Sequence, residues 1–155
     1  MDYDKHINEF ADLVFEYCAW SENKKDKESD MFYLQVLLSK LYSWGIQLPE
    51  CEIKDDNFSE EEPSIRHTEV IGFFKSVPYQ YYSKVFSAET VPSEQPVTGD
   101  LIDDLADIYK DLKGGLWYFE KGETVEAVFH WRTTLGFHWA RHIMGAMYAL
   151  YCFEQ

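Results

Sequence analysis

The stretch DLIDDLADIYKDLKGGLWYFE, residues 100–120, decides the fold. At about 100° per residue, Leu101, Leu105, Ile108, Leu112, Leu116 and Phe119 fall on one narrow apolar stripe, and Asp100, Asp103, Asp104, Asp107 and Asp111 form a separate face beside it. This is the period of a half-buried helix. Asp100, Asp103 and Asp104 sit where a helix N-terminus favours negative charge, whereas Asp107 and Asp111 lie too far along to benefit. Like charges at three- and four-residue steps oppose a helix by roughly 0.2–0.5 kcal/mol per pair, so something cationic is expected to answer them.

After the Glu120-Lys121-Gly122 turn, helical spacing resumes near Thr124 and runs close to the C-terminus. Val125, Val128, Arg132, Leu135, Trp139, Ile143, Ala146 and Leu150 share one stripe, so the chain is expected to end in a long helical hairpin. Arg132 falls inside that stripe. Its guanidinium keeps its proton, which predicts an ion pair with Asp104 or Asp111 across the hairpin. His138 and His142, four residues apart, share a face with Trp131, while His130 is read as pointing to the opposite side.

Two histidines at that spacing can chelate a metal, and Asp104 and Asp107 could complete a zinc or iron site. Neither Glu-x-x-His nor His-Glu-x-x-His occurs, however, and the reading favours histidines satisfied by Asp, Tyr or water. No cofactor is favoured, and a divalent metal held by Asp104, Asp107, His138 and His142 is the alternative. The candidate polar site comprises Asp104, Asp107, Asp111, Arg132, His138, His142, Trp131 and Trp139. No catalytic residue is assigned; Cys51 and His67 could be nucleophile and base, but nothing in the sequence brings them together.

Upstream, Ile7, Phe10, Ala11, Val14, Tyr17 and Cys18 predict a first helix over 3–21. Ser29 or Asp30 caps a second, with Leu34, Leu37, Leu38, Leu41 and Tyr42 inward and Gly45 as its stop. The acidic connection 50–62 fails as an EF-hand: counted from Asp55, Glu60 stands where Gly is needed and Arg66 where the bidentate Glu is needed. Pro63 is placed to open the next helix, with Ile65, Val70, Phe73 and Phe74 at helical spacing. A short helix is expected around 79–86, and no alternating run suggests a sheet.

With 155 residues and 46% hydrophobic content, the chain can bury a core as a single helical domain over 1–155. The fold class read from these patterns is all-α: an antiparallel bundle of about five to six helices ending in the hairpin. No run is long and apolar enough to span a bilayer, and the acidic start, with Asp2, Asp4 and Glu9, is unlike a secretory signal. Three cysteines without C-x-x-C spacing suggest neither a disulfide framework nor a Cys-rich zinc site, so a reducing cytoplasm fits. A net charge of -14 argues against nucleic acid as a partner, and without a spanning run no membrane partner is expected. Five Trp, 11 Tyr and 11 Phe are more than a small core hides, so some of Trp20, Trp44, Trp117, Tyr79, Tyr81 and Tyr82 are expected to line a groove or a contact between copies in a homo-oligomer.

Asp103-Asp104-Leu105-Ala106-Asp107-Ile108, Gly115-Leu116, Tyr118, Gly122, Ala127, Trp131 and Trp139-Ala140, with Tyr82-Ser83-Lys84-Val85-Phe86 upstream, resemble a bacterial family named domain of unknown function 5063. The likeness is most specific over 79–150. It implies an all-helical domain without an assigned activity, extends to the aspartate cluster and both tryptophans, and does not demand histidine at 138 and 142. The function expected is a non-catalytic module that binds a protein or small ligand through its aromatic and acidic surfaces. The alternative is a metal-dependent hydrolase of phosphoester type, with Asp104, Asp107 and Asp111 around the ion and Arg132, Arg141 or Lys110 as phosphate clamp.

Overall fold

A computed structural model describes residues 1–53, 62–92 and 94–155. The fold is predominantly helical: α1 (Tyr3–Glu22), a 3-10 turn (Glu28–Asp30), α2 (Met31–Gly45), α3 (His67–Gly72), α4 (Leu101–Glu120), α5 (Thr124–Thr134), a π-turn (Leu135–Trp139) and α6 (Ala140–Phe153). Between α3 and α4 lies one antiparallel hairpin of β1 (Tyr81–Lys84) and β2 (Val97–Asp100), in the register Tyr81↔Asp100 to Lys84↔Val97. The short helix expected around 79–86 is therefore a strand. α3 begins at His67 instead of Pro63, and most of the rejected EF-hand loop, 54–61, lies outside the described residues.

α4 is the central element and packs against α1, α3, α5 and α6. Leu101, Leu105, Ile108, Leu112 and Leu116 are all buried, as the stripe predicts, and meet Phe10, Val14, Tyr17, Leu34, Leu38, Phe74, Trp131, Trp139 and Ile143 in one core. β2 feeds directly into this helix. Asp100 caps it by accepting from the Ile102 and Asp103 amides, and the Leu101 amide donates to the Gln80 carbonyl at 2.7 Å. The hairpin is thereby fixed to the N-terminal end of α4, next to the aspartates.

The predicted last helix exists but is interrupted. A π-turn inserts about one residue into the helical frame, a rotation of roughly 100°. Trp131 and Trp139, eight apart, would diverge by about 80° on an unbroken helix, yet both are fully buried, and the Trp139 indole donates to the Trp131 carbonyl at 3.0 Å. Extending the α6 stripe back without the inserted residue selects Arg132 as a core position. The true one is Trp131, with Ala127 and Val128, while Val125 is half exposed. Trp131 reaches α4 over Gly115, where a Cβ would run into the indole ring, and its Nε1 donates to the Leu112 carbonyl at 3.0 Å.

Candidate functional site

The aspartate face of α4 is answered by histidines. His138 Nδ1 donates to Asp111 Oδ2 at 2.6 Å, His142 Nδ1 donates to Asp104 Oδ1 at 2.7 Å, and from α3 His67 Nε2 donates to Asp103 Oδ1 at 2.7 Å. Tyr82 of β1 donates to the other Asp104 oxygen at 2.6 Å, so this nearly sealed carboxylate, 3% exposed, has both oxygens engaged. Lys110 Nζ lies 2.8 Å from Asp107 Oδ1. Four carboxylates therefore face three imidazoles and a single ammonium.

A neutral imidazole carries one N–H. In His138 and His142 a carboxylate lies against Nδ1, so the hydrogen belongs there and each Nε2 presents a lone pair. Those two Nε2 atoms face each other at 3.2 Å, with Asp107 Oδ2 3.4 Å from that of His142. One ligand atom from each of Asp107, His138 and His142 lies within 4.8 Å of the others. The rings meet edge-on, with centroids 4.7 Å apart and planes at 79°. Burial raises the Asp111 carboxyl above its ordinary range, opposed by the hydrogen bond from His138. Desolvation, with the hydrogen bond to Asp104, likewise raises the Tyr82 hydroxyl, which stays a donor.

Of the predicted site residues, the structure brings together Asp104, Asp107, Asp111, His138 and His142. Asp104 supports His142 instead of pointing a free oxygen at the cluster, so of the four-residue metal set Asp107, His138 and His142 converge. Trp131 and Trp139 are core. Arg132 reaches neither Asp104 nor Asp111: it lies 3.6 Å from Glu50 and contacts the Ile46 carbonyl at 3.4 Å, because the π-turn takes it off the inward stripe. His130, expected on the far side, also turns to α4 and lies 3.1 Å from the Asp111 carbonyl. Cys51 contacts the Val125 carbonyl at 3.6 Å, away from His67. Among the candidate groove aromatics, Trp117 lines a cleft beside Asp111 and Lys110, and Tyr79 stacks on Phe153 with centroids 4.6 Å apart.

The sequence reading named His67 only as a conceivable base for Cys51 and Tyr82 only as a candidate groove aromatic, and placed neither beside the aspartates. His67 lies 36 residues from the aspartate it meets and Tyr82 lies 22 from its own. The available signal was indirect: a crowded face of like charges that calls for partners.

The model of a family described as domain of unknown function (DUF5063) matches residues 1–154. The crystal structure of protein BF1032 from Bacteroides fragilis resembles this one with a TM-score of 0.76 at 21% identity, over 99% of this chain and 94% of that one. This likeness shows the fold. No curated protein matches the chain. Among the described residues no helix is long and apolar enough to cross a membrane.

Proposed function

We propose that this chain, which belongs to the DUF5063 family, is a helical module that binds one divalent transition-metal ion through Asp107, His138 and His142. The observation that carries this reading is the 3.2 Å approach of the two Nε2 atoms beside the Asp107 carboxylate. With both imidazoles neutral and their hydrogens on Nδ1, two lone pairs meet there, and either a proton shared between the Nε2 atoms or a metal ion among the three donors relieves the contact. Two imidazoles and one carboxylate suit zinc and ferrous iron, and other first-row ions with less preference. Asp111 and Asp104 hold each imidazole by its other nitrogen, which fixes the tautomer that a metal needs and raises ligand basicity. A proton on one Nε2 is the competing occupant, so metal uptake releases protons.

The test is elemental mass spectrometry of the untagged protein as purified, then titration with Zn, Mn and ferrous iron near neutral pH. One ion per chain, lost in His138→Ala and His142→Ala, supports the reading. No ion taken up by the folded chain, together with no thermal response to added metal or EDTA, overturns it.

Hydrolysis is a second reading, favoured by one observation: a cleft of about 930 Å3 lined by Ser64, Lys110, Asp111, Lys113 and Trp117 opens beside the cluster. That size suits a small molecule. A bound ion there would supply Lewis-acid activation of water. Lys110 is the cation nearest to the donors, and Arg132 is too far round the fold to serve as the clamp the sequence suggested. A screen of phosphoester substrates on the metal-loaded protein separates catalysis from simple binding.

A further inference from the structure

Among the described residues, one buried side-chain nitrogen or oxygen has no hydrogen-bond partner: Nδ1 of His67. Its other ring nitrogen donates to Asp103, so this Nδ1 carries a lone pair. It lies 3.9 Å from Asp107 Oδ1, the same carboxylate whose second oxygen faces His142. A buried acceptor left without a donor costs stability, and such exceptions in folded proteins call for an ordered water, an ion or a functional role. His67 repeats the local design of the other two histidines: one nitrogen fixed by an aspartate of α4, the other presented as a bare lone pair near Asp107.

We infer that His67 Nδ1, which lies outside the 4.8 Å group formed by Asp107, His138 and His142, closes on the bound ion as a further ligand, so that the centre takes three imidazoles and one carboxylate and draws α3 onto α4. This inference rests on the metal reading above. Asp103 is then a positioning residue, acting on the ion only through His67. The donor set spans α3, α4, the π-turn and α6, so the ion joins α3 to the core hairpin. Four protein ligands leave a four-coordinate ion closed and a six-coordinate ion with two positions free. Zinc is thereby cast as a structural ion, and ferrous iron or manganese as one open to small molecules.

Cobalt(II) is the probe, because its visible absorption reports coordination number and donor type while titration gives affinity. The full chain is compared with His67→Ala, Asp103→Asn and His138→Ala, each first checked for native circular dichroism. The expected result is one cobalt per chain in the unaltered protein and a loss of affinity of at least about tenfold in His67→Ala, with a changed visible spectrum. Asp103→Asn, which keeps the imidazole, is expected to lose about 10–100-fold with the same spectral type as the unaltered protein. Should His67→Ala not fold, Asp103→Asn carries the test, and unchanged affinity there overturns the inference. Native affinity and spectrum in a folded His67→Ala, with binding lost in His138→Ala, overturn the role of His67 and leave the three-residue centre standing. No cobalt taken up by the unaltered protein removes both.

Discussion

His138 Nε2 and His142 Nε2 stand 3.2 Å apart on consecutive turns, each imidazole pinned from behind by a different aspartate of α4. Side chains four apart on a helix are neighbours, but free imidazoles would rotate to avoid such a contact. The two hydrogen bonds from Nδ1 prevent that rotation. Asp104 and Asp111 are seven residues apart on the facing helix, about 10.5 Å, against about 6 Å for the two histidines. The hydrogen bonds therefore pull the two Nδ1 atoms outward and leave the Nε2 atoms facing each other.

Relief of that contact by a bound ion predicts a stabilised fold. A ligand that binds the native state alone adds about 2.7 kcal/mol at a hundredfold excess over its Kd. For a chain of this size this raises Tm by roughly 5–10 °C. Zinc added in differential scanning fluorimetry should give a shift of that order, reversed by EDTA, and His142→Ala should abolish it.

Gly115→Ala is expected to destabilise even though alanine is the better helix former by about 1 kcal/mol. The new Cβ meets the Trp131 indole, which is fully buried and hydrogen-bonded to α4. Overpacking of that kind costs typically about 1–3 kcal/mol, so the net change is a loss measurable by urea unfolding. A gain in stability would show that Trp131 can shift without cost.

The main helices were legible because α1, α2 and α4 repeat apolar residues at helical spacing over 15–20 residues. The hairpin was not, since Tyr81–Lys84 and Val97–Asp100 are four residues each, too short to display an alternating period. The aspartate face and the His138/His142 pair were legible as a polar cluster, but their pairing was not. A helical wheel carries no π-turn, so it placed Arg132 inward where Trp131 belongs. Asp104 and Asp111 were consequently given an arginine in place of histidines. The pairing of His67 with Asp103 was invisible for a different reason: long-range contacts between single residues leave no periodic trace.

Alkaline conditions should weaken the fold through two core groups. Burial pushes the Cys18 thiol up to about 12, and burial likewise holds the Tyr17 hydroxyl well above 10.0. The unfolded chain ionises these groups first, at their ordinary values of 9.0 and 10.0. Their contribution is thus fully present below those values and is lost as pH rises toward the folded values. Urea midpoints should fall steadily above about pH 9, and less steeply in Cys18→Ala. At about pH 8 a thiol reagent should label exposed Cys152 in the native protein and reach Cys18 only on unfolding.

Asp104 separates the histidine network from the arginine pairing first read from the sequence. Its carboxylate is buried and accepts from both Tyr82 and His142. Asp104→Asn keeps the shape but removes the charge from two charge-assisted hydrogen bonds, for an expected loss of roughly 1–3 kcal/mol. Tyr82→Phe removes one of the two and should cost less, within about 1–2 kcal/mol. Arg132→Gln should leave stability within about 0.5 kcal/mol, because the side chain it pairs with, Glu50, is 93% exposed. Zinc affinity sharpens the contrast: the amide introduced by Asp104→Asn no longer fixes the His142 tautomer, so binding should weaken by about 10–100-fold, while Arg132→Gln leaves it unchanged. Equal losses of stability in Asp104→Asn and Arg132→Gln, with zinc affinity untouched in both, would return the aspartate face to a purely structural ion-pair role.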